Sequence, residues 1–173
     1  MPTFAGIDHL SLSVNDLDES QHFYIDVLDF MLLVDFGEVR VLLDRPTGFT
    51  LSLVRHSSGR RGPFSELNPG LDHIGLTAST REELVEWERR FQTAGVVYTP
   101  IRDMPFGFHL NFRDPDGIPL EFMVPNAVLT AWLLEVRERD VPRDEINTRV
   151  REHLLASGVP ESELPGSRAP VIG

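Results

Sequence analysis

The sequence predicts an α+β fold built from two copies of one unit, each a strand, a helix and then three strands. Three observations carry this. Gly6-Ile7-Asp8-His9-Leu10 and Gly70-Leu71-Asp72-His73-Ile74 are near-identical stretches 64 residues apart, and a fixed period of that size marks a repeated structural unit. Each stretch leads into alternating apolar and small polar residues, the period of a half-buried strand. At the same offset a helix start follows each strand, Asp16-x-x-Glu19 and Thr80-x-x-Glu83, both with capping-box spacing.

The elements follow in order. Leu10, Leu12 and Val14 face a core in the first copy, as do Ile74 and Leu76 in the second. His9, Ser11 and Ser13 share the opposite face, as do His73, Gly75 and Thr77, because side chains alternate along a strand. A histidine followed by small residues leaves room above the sheet, which suits a cleft. Helical stripes come next: Phe23, Tyr24, Val27 and Leu28, then Leu84, Trp87 and Phe91. Residues 38–43 and 108–113 read as strands. Pro46-Thr47-Gly48 and Asp114-Pro115-Asp116-Gly117 supply turns, and residues 49–54 and 118–124 close each copy. The middle strand of the first copy is weakly marked, around residues 31–36.

The organisation expected is paired modules over residues 1–125 (about 5–57 and 69–125, with a linker at 58–68), then an extension over 126–173. In the extension, residues 127–139 carry Leu129, Trp132, Leu133 and Val136 at helical spacing, and residues 144–156 carry Ile146, Val150 and Leu154. Gly158 is a stop. Residues 160–173, rich in Pro, Gly and Ser, read as an irregular tail.

Composition narrows the function. A chain of 173 residues with 41% hydrophobic content supports a real core. A net charge of −11 argues against nucleic-acid or anionic-membrane partners, which need a basic footprint. No apolar run is long enough to span a bilayer, and Met1-Pro2-Thr3-Phe4 lacks the blocks of a signal peptide. The absence of cysteine removes disulfides, thiolate ligands and cysteine nucleophiles together, and a cytoplasmic location is the expectation. One basic run, Arg55-His56-Ser57-Ser58-Gly59-Arg60-Arg61, has two readings. It is a solvated linker, or a rim that attracts an anionic substrate.

Histidines paired by internal symmetry are a natural start for a metal site. Glu121 stands in an otherwise apolar strand with Leu120, Phe122 and Val124, and a buried carboxylate needs a partner. Among the other histidines, His22 lies on a helix and is expected at the surface, and His153 sits in the tail helix. His56 shares strand parity with Ser52 and either reaches the polar face or belongs to the linker. His109 shares parity with Asn111 on the strand before Glu121. Hairpin register decides whether that face looks at the same site. If it does, His109 is a candidate general base or substrate hydrogen-bond partner.

Taken together, the two His-bearing strands, the segment Phe23-Tyr24-x-x-x-Leu28-x-Phe30 and the segment Asp114-Pro115-Asp116-Gly117-x-x-x-Glu121 resemble the vicinal oxygen chelate superfamily. That superfamily includes glyoxalase I, extradiol dioxygenases, and fosfomycin- and bleomycin-resistance proteins. The resemblance covers about residues 5–125. It implies two βαβββ modules forming a curled mixed-sheet cup with a divalent metal on its floor, here followed by a helical C-terminal tail. It also implies His9, His73 and Glu121 as metal ligands. The matching position in the first module is Ser52, a poor ligand, so three protein ligands are expected and coordination positions stay open for a chelating substrate. Fe2+ ranks first, with Mn2+, Zn2+, Ni2+ and Co2+ as alternatives.

His109 is the candidate catalytic residue, and Asn111, Ser52 and His56 are candidate substrate-binding residues. A small-molecule substrate and a homodimer are implied by the same resemblance. Ser52 cannot supply the second carboxylate that glyoxalase-type proton transfer uses. A ring-cleaving, extradiol-type dioxygenase therefore stands slightly ahead of a lyase or isomerase, although residues 108–113 offer His109 and Asn111 and no tyrosine. The reading from another class is a metal-free protein of bleomycin-resistance type that sequesters a drug or metabolite.

Overall fold

Two four-stranded mixed sheets with helices between them make up the body of the molecule. The computed structural model describes residues 5–59 and 61–165. Residues 1–4, read above for a leader, Arg60 of the basic run and residues 166–173 of the tail lie outside the described residues. In the first sheet β1 (His9–Ser13) pairs in parallel with β4 (Thr50–Val54), and β4 runs antiparallel to β3 (Val39–Leu43). The far edge is β2 (Met31–Asp35). The second sheet repeats this order: β5 (Ile74–Thr77), β8 (Pro119–Pro125), β7 (Gly107–Arg113) and β6 (Arg102–Met104). The faint sequence signal of β2 has a cause, since its register shifts between Leu32 and Val34 and a bulge breaks the alternation that marks a strand.

Both helix starts are capped, in two ways. Asp16 accepts from the amides of Asp18 and Glu19 ahead of α1 (Leu17–His22). Thr80 accepts from the Glu83 amide ahead of α2 (Arg81–Ala94), and the Glu83 carboxylate returns to the amide of Ser79. Gly95, at φ 69°, ends α2 in the left-handed conformation that glycine adopts without a Cβ clash. After α1 the chain widens into a π-helical turn, Phe23–Val27, with the Leu28 amide bonded to the Phe23 carbonyl. This turn delivers Phe23, Tyr24, Val27 and Leu28 to the core, all buried.

The helices cover one face of each sheet. Leu12, Leu42, Leu51 and Leu53 from the first sheet and Leu110, Phe112, Leu120 and Phe122 from the second bury against one continuous core with Leu84 and Phe91 of α2. Phe91 packs at a tilt on Phe112, ring centroids 4.6 Å apart, and Phe23 reaches Phe112 from the first module at 6.5 Å. Such aromatic contacts add to area burial and tie the modules together. The opposite, polar faces of the two sheets therefore look away from a shared interior.

A buried polar seam also crosses between modules. The Tyr24 hydroxyl donates to Asp114 at 3.1 Å, and the backbone and side-chain amides of Asn15 donate to Asp116. Burial pushes the Asp114 carboxyl up to about 6, although the Ile118 amide and Tyr24 hydroxyl donate to it. The same burial and the facing carboxylate hold the Tyr24 phenol well above its ordinary range.

The extension forms α3 (Ala127–Glu138) and α4 (Arg143–Ala156), and a short 3-10 turn, Glu161–Glu163, interrupts the stretch expected to be irregular. Asn126 caps α3, accepting from the Leu129 amide while donating to the Pro105 carbonyl. Trp132 and His153 pack on Phe106, in the turn between β6 and β7. Neither helix has a fully buried residue, and no described helix is long and apolar enough to cross a membrane.

Candidate functional site

Register decides the first question about the site. In the β7–β8 ladder Asn111 lies opposite Glu121 and His109 opposite Met123, and in the β5–β8 ladder Gly75 lies opposite Glu121. His109, Asn111 and Glu121 therefore share one face, with His73 just ahead of β5 on the same side. Contacts agree. His109 Nδ1 is 2.5 Å from Glu121 Oε1, and His73 Nε2 is 4.0 Å from Glu121 Oε2. Glu121 is only 15% exposed and His109 20%, so this carboxylate meets its requirement for a partner through His109. A carboxylate only accepts, so His109 Nδ1 carries the hydrogen and Nε2 holds the free lone pair.

Beside this face a cavity of about 390 Å³ opens between His73, Asp72, Thr99, Asn111 and Arg113. Arg113 is tied down by a two-point contact to Glu66 and by the Gly117 carbonyl. A larger recess of about 590 Å³ is lined by Leu10, Phe30, Ile74, Trp87 and Phe122. It holds none of the predicted site residues. Gly107 sets the position of β7 at the mouth of the hairpin. Its φ is 148°, and a Cβ there would fall 2.0 Å from the Val124 carbonyl oxygen.

The other predicted residues belong to the first module's polar face. Ser11 pairs with Ser52 and His9 with Thr50 in the β1–β4 ladder, and His56 Nε2 sits 3.1 Å from the Ser13 hydroxyl. His9 contacts Asp8 at 2.8 Å. The structure thus brings His73, His109, Asn111 and Glu121 together and leaves His9, Ser52 and His56 on the second face. Among the described residues of one chain, no three His, Cys, Asp or Glu side chains form a group that could hold a metal ion. The two potential ligands that do meet fit an ion, since donors each about 2.1 Å from a metal lie up to about 4 Å apart.

Sequence reasoning passed over Asp8 and Asp72, each against the Nδ1 of the histidine that follows it. Their place inside the repeated stretch was the available signal. It also read Asp114 and Asp116 as residues of a turn and of the segment leading to Glu121, and missed their hold on Tyr24 and Asn15.

Residues 6–122 match the model of the Glyoxalase/Bleomycin resistance protein/Dioxygenase superfamily. The chain belongs to that superfamily. Among solved structures, it is 35% identical to a glyoxylase/bleomycin resistance protein/dioxygenase domain from Frankia sp. EAN1pec, over 72% of this chain and all of that one, with a TM-score of 0.66. The fosfomycin resistance protein FosX from Listeria monocytogenes shares the fold at 20% identity, over 72% of this chain and 94% of that one, with a TM-score of 0.58. A FosX mutant, complexed with Mn(II) and 1S,2S-dihydroxypropylphosphonic acid, matches at 20% identity over the same shares of the two chains, with a TM-score of 0.57. The superfamily match stops before α3, so the helical extension lies outside it.

Proposed function

We propose that this superfamily member is a divalent-metal-dependent enzyme acting on a small molecule that binds the ion through neighbouring oxygens. We propose also that it works as a homodimer, with His73 and Glu121 of one copy and His9 of a second copy as ligands. The observation that carries this reading is the His73–Glu121–His109 constellation on an open sheet face. His9 lies on a separate face that turns away from the same core. Among the described residues of one chain the two faces form no three-ligand group, whereas a second copy can lay its first module over the second module of its partner.

When bound, the ion would supply Lewis acidity to the paired substrate oxygens. The chain's own residues do the rest. His109 holds Glu121 by one oxygen, which turns Oε2 toward His73. Its free Nε2 takes a proton from a substrate hydroxyl, and its exposure of 20% limits competition from water. Asn111, opposite Glu121 in the ladder, offers its side-chain amide to a substrate oxygen. Ser52 and His56 line the facing wall. The FosX complex with Mn(II) and a vicinal diol supports this substrate class and widens the metals to be tried beyond Fe2+. Ring cleavage of a catechol-type substrate stands ahead of a lyase or isomerase reaction, because the site offers an imidazole base and Ser52 stands where the first module would supply a second carboxylate.

The deciding experiment is metal analysis of protein purified anaerobically without chelator, with its oligomeric state measured alongside. Near-stoichiometric iron in a dimer supports the oxygenase, and catechols with oxygen are then assayed for the coloured ring-cleavage product. Manganese, zinc, nickel or cobalt shifts the reaction to an isomerase, lyase or transferase. A chain that neither retains nor takes up any of these ions is a metal-free binding protein.

A further inference from the structure

The repeat keeps more than its histidines. Asp8 Oδ2 lies 2.8 Å from His9 Nδ1, and Asp72 Oδ1 lies 2.6 Å from His73 Nδ1. Neighbouring side chains on a regular strand point to opposite faces, so such a contact requires the chain to be outside strand geometry at the aspartate. Both copies meet that condition. β1 starts at His9 and β5 at Ile74. Two residues before each aspartate stands a glycine at positive φ, Gly6 at 131° and Gly70 at 150°, where an L side chain would be strained. The same four-residue device, Gly-x-Asp-His, therefore occurs twice with the same side-chain contact.

We infer that Asp8 and Asp72 are positioning residues that fix which nitrogen each histidine offers to the metal. The inference rests on the metal site proposed above. A carboxylate accepts and does not donate, so Nδ1 carries the hydrogen in each pair and the neutral ring keeps its lone pair on Nε2. His73 Nε2 is the atom that faces Glu121 Oε2. A carboxylate behind a ligating imidazole also restrains the ring and raises its basicity. His22 gives the contrast: it pairs with Asp26 at 2.5 Å, one turn along a helix, with the same chemistry and no site.

The test is calorimetric titration of Mn(II) into metal-stripped, full-length protein. Asp8→Ala and Asp72→Ala each weaken Mn(II) binding by about 10- to 100-fold. Asp72→Asn, which keeps an oxygen acceptor, recovers most of the affinity, and Asp26→Ala changes nothing. Histidine nitrogen NMR of the metal-free protein reads the cause directly: His73 carries its proton on Nδ1 in wild type and moves it to Nε2 in Asp72→Ala. Both aspartates are exposed, so their loss leaves the fold intact, which circular dichroism checks. Wild-type affinity in both alanine variants, with binding lost in His73→Ala, overturns the inference and leaves the metal site standing. A wild-type protein that takes up none of Mn(II), Fe(II), Zn(II), Ni(II) and Co(II) overturns the metal site, and this inference with it.

Discussion

Matched by strand register, the first module places Ser52, Val41 and Val39 where the second places Glu121, Asn111 and His109. The back faces differ as well. Arg40 stands in the first module where fully buried Leu110 stands in the second. Arg40 survives there by bending to the Leu17 carbonyl and to Asp18, while its Nε, 3.3 Å from Asp35, makes no hydrogen bond. One frame thus carries two endowments. The second module holds the carboxylate, the amide and a histidine pair, and the first offers His9 and His56 among hydroxyls and β-branched residues. Burial against the helices constrains the back face to close packing. The front face has no such constraint, and chemistry has accumulated on one copy only.

The largest test of that asymmetry compares the two register-matched positions. Glu121→Ala should weaken metal binding by more than about 100-fold, beyond the loss expected for an outer-shell partner, whereas Ser52→Ala should leave it within about 2-fold. Equal losses in a Mn(II) titration would mean that the modules share the ion evenly.

Next in size is the seam. The folded-state value of Asp114, about 6, lies above its ordinary 3.8, chiefly because of burial. Between those values the folded chain holds a proton that the unfolded chain has released. The contribution of this group to stability is therefore fully present below pH 4 and is lost as pH rises through 6, a fall of about 3 kcal/mol. Asp114→Asn should flatten that fall in denaturation midpoints measured from pH 4.5 to 7.5. Asp44→Asn, at the matching and more exposed turn of the first module, should keep it. An unchanged slope in Asp114→Asn would assign the pH dependence elsewhere.

The smallest contrast lies in the caps. Asp16 accepts from two amides and Thr80 from one, so Asp16→Ala should cost about 1–2 kcal/mol and Thr80→Ala about 0.5–1. Chemical denaturation curves with the order reversed would show that the number of amides a side chain accepts from does not set the strength of these caps.

Much of this was legible in the chain because it is local. Strand alternation at His9–Ser13, the capping residues Asp16 and Thr80, and the stripe Phe23, Tyr24, Val27 and Leu28 each depend on a few neighbouring residues. What depended on distant parts of the chain was not legible. The His109–Glu121 contact follows from hairpin register, and sequence parity left two faces open. The separation of His9 from His73 follows from how two modules pack. The π-helical turn at Phe23–Val27 is stabilised by its burial against the second module, and nothing in its composition announces the extra residue. Asp114 looked like any turn aspartate until Tyr24, ninety residues earlier, met it.

Gly107 touches no proposed ligand, yet it fixes the gap between β7 and β8 two residues before His109. Any side chain there must displace the Val124 carbonyl, and the displacement travels along a short hairpin into the 2.5 Å contact between His109 and Glu121. In a saturation-mutagenesis library selected for activity, position 107 should tolerate glycine alone, as intolerant as Glu121 itself. Selection for folding alone should be more permissive. A residue with no functional group can thus be under functional selection, because the length of a hydrogen bond is inherited from the spacing of two backbones.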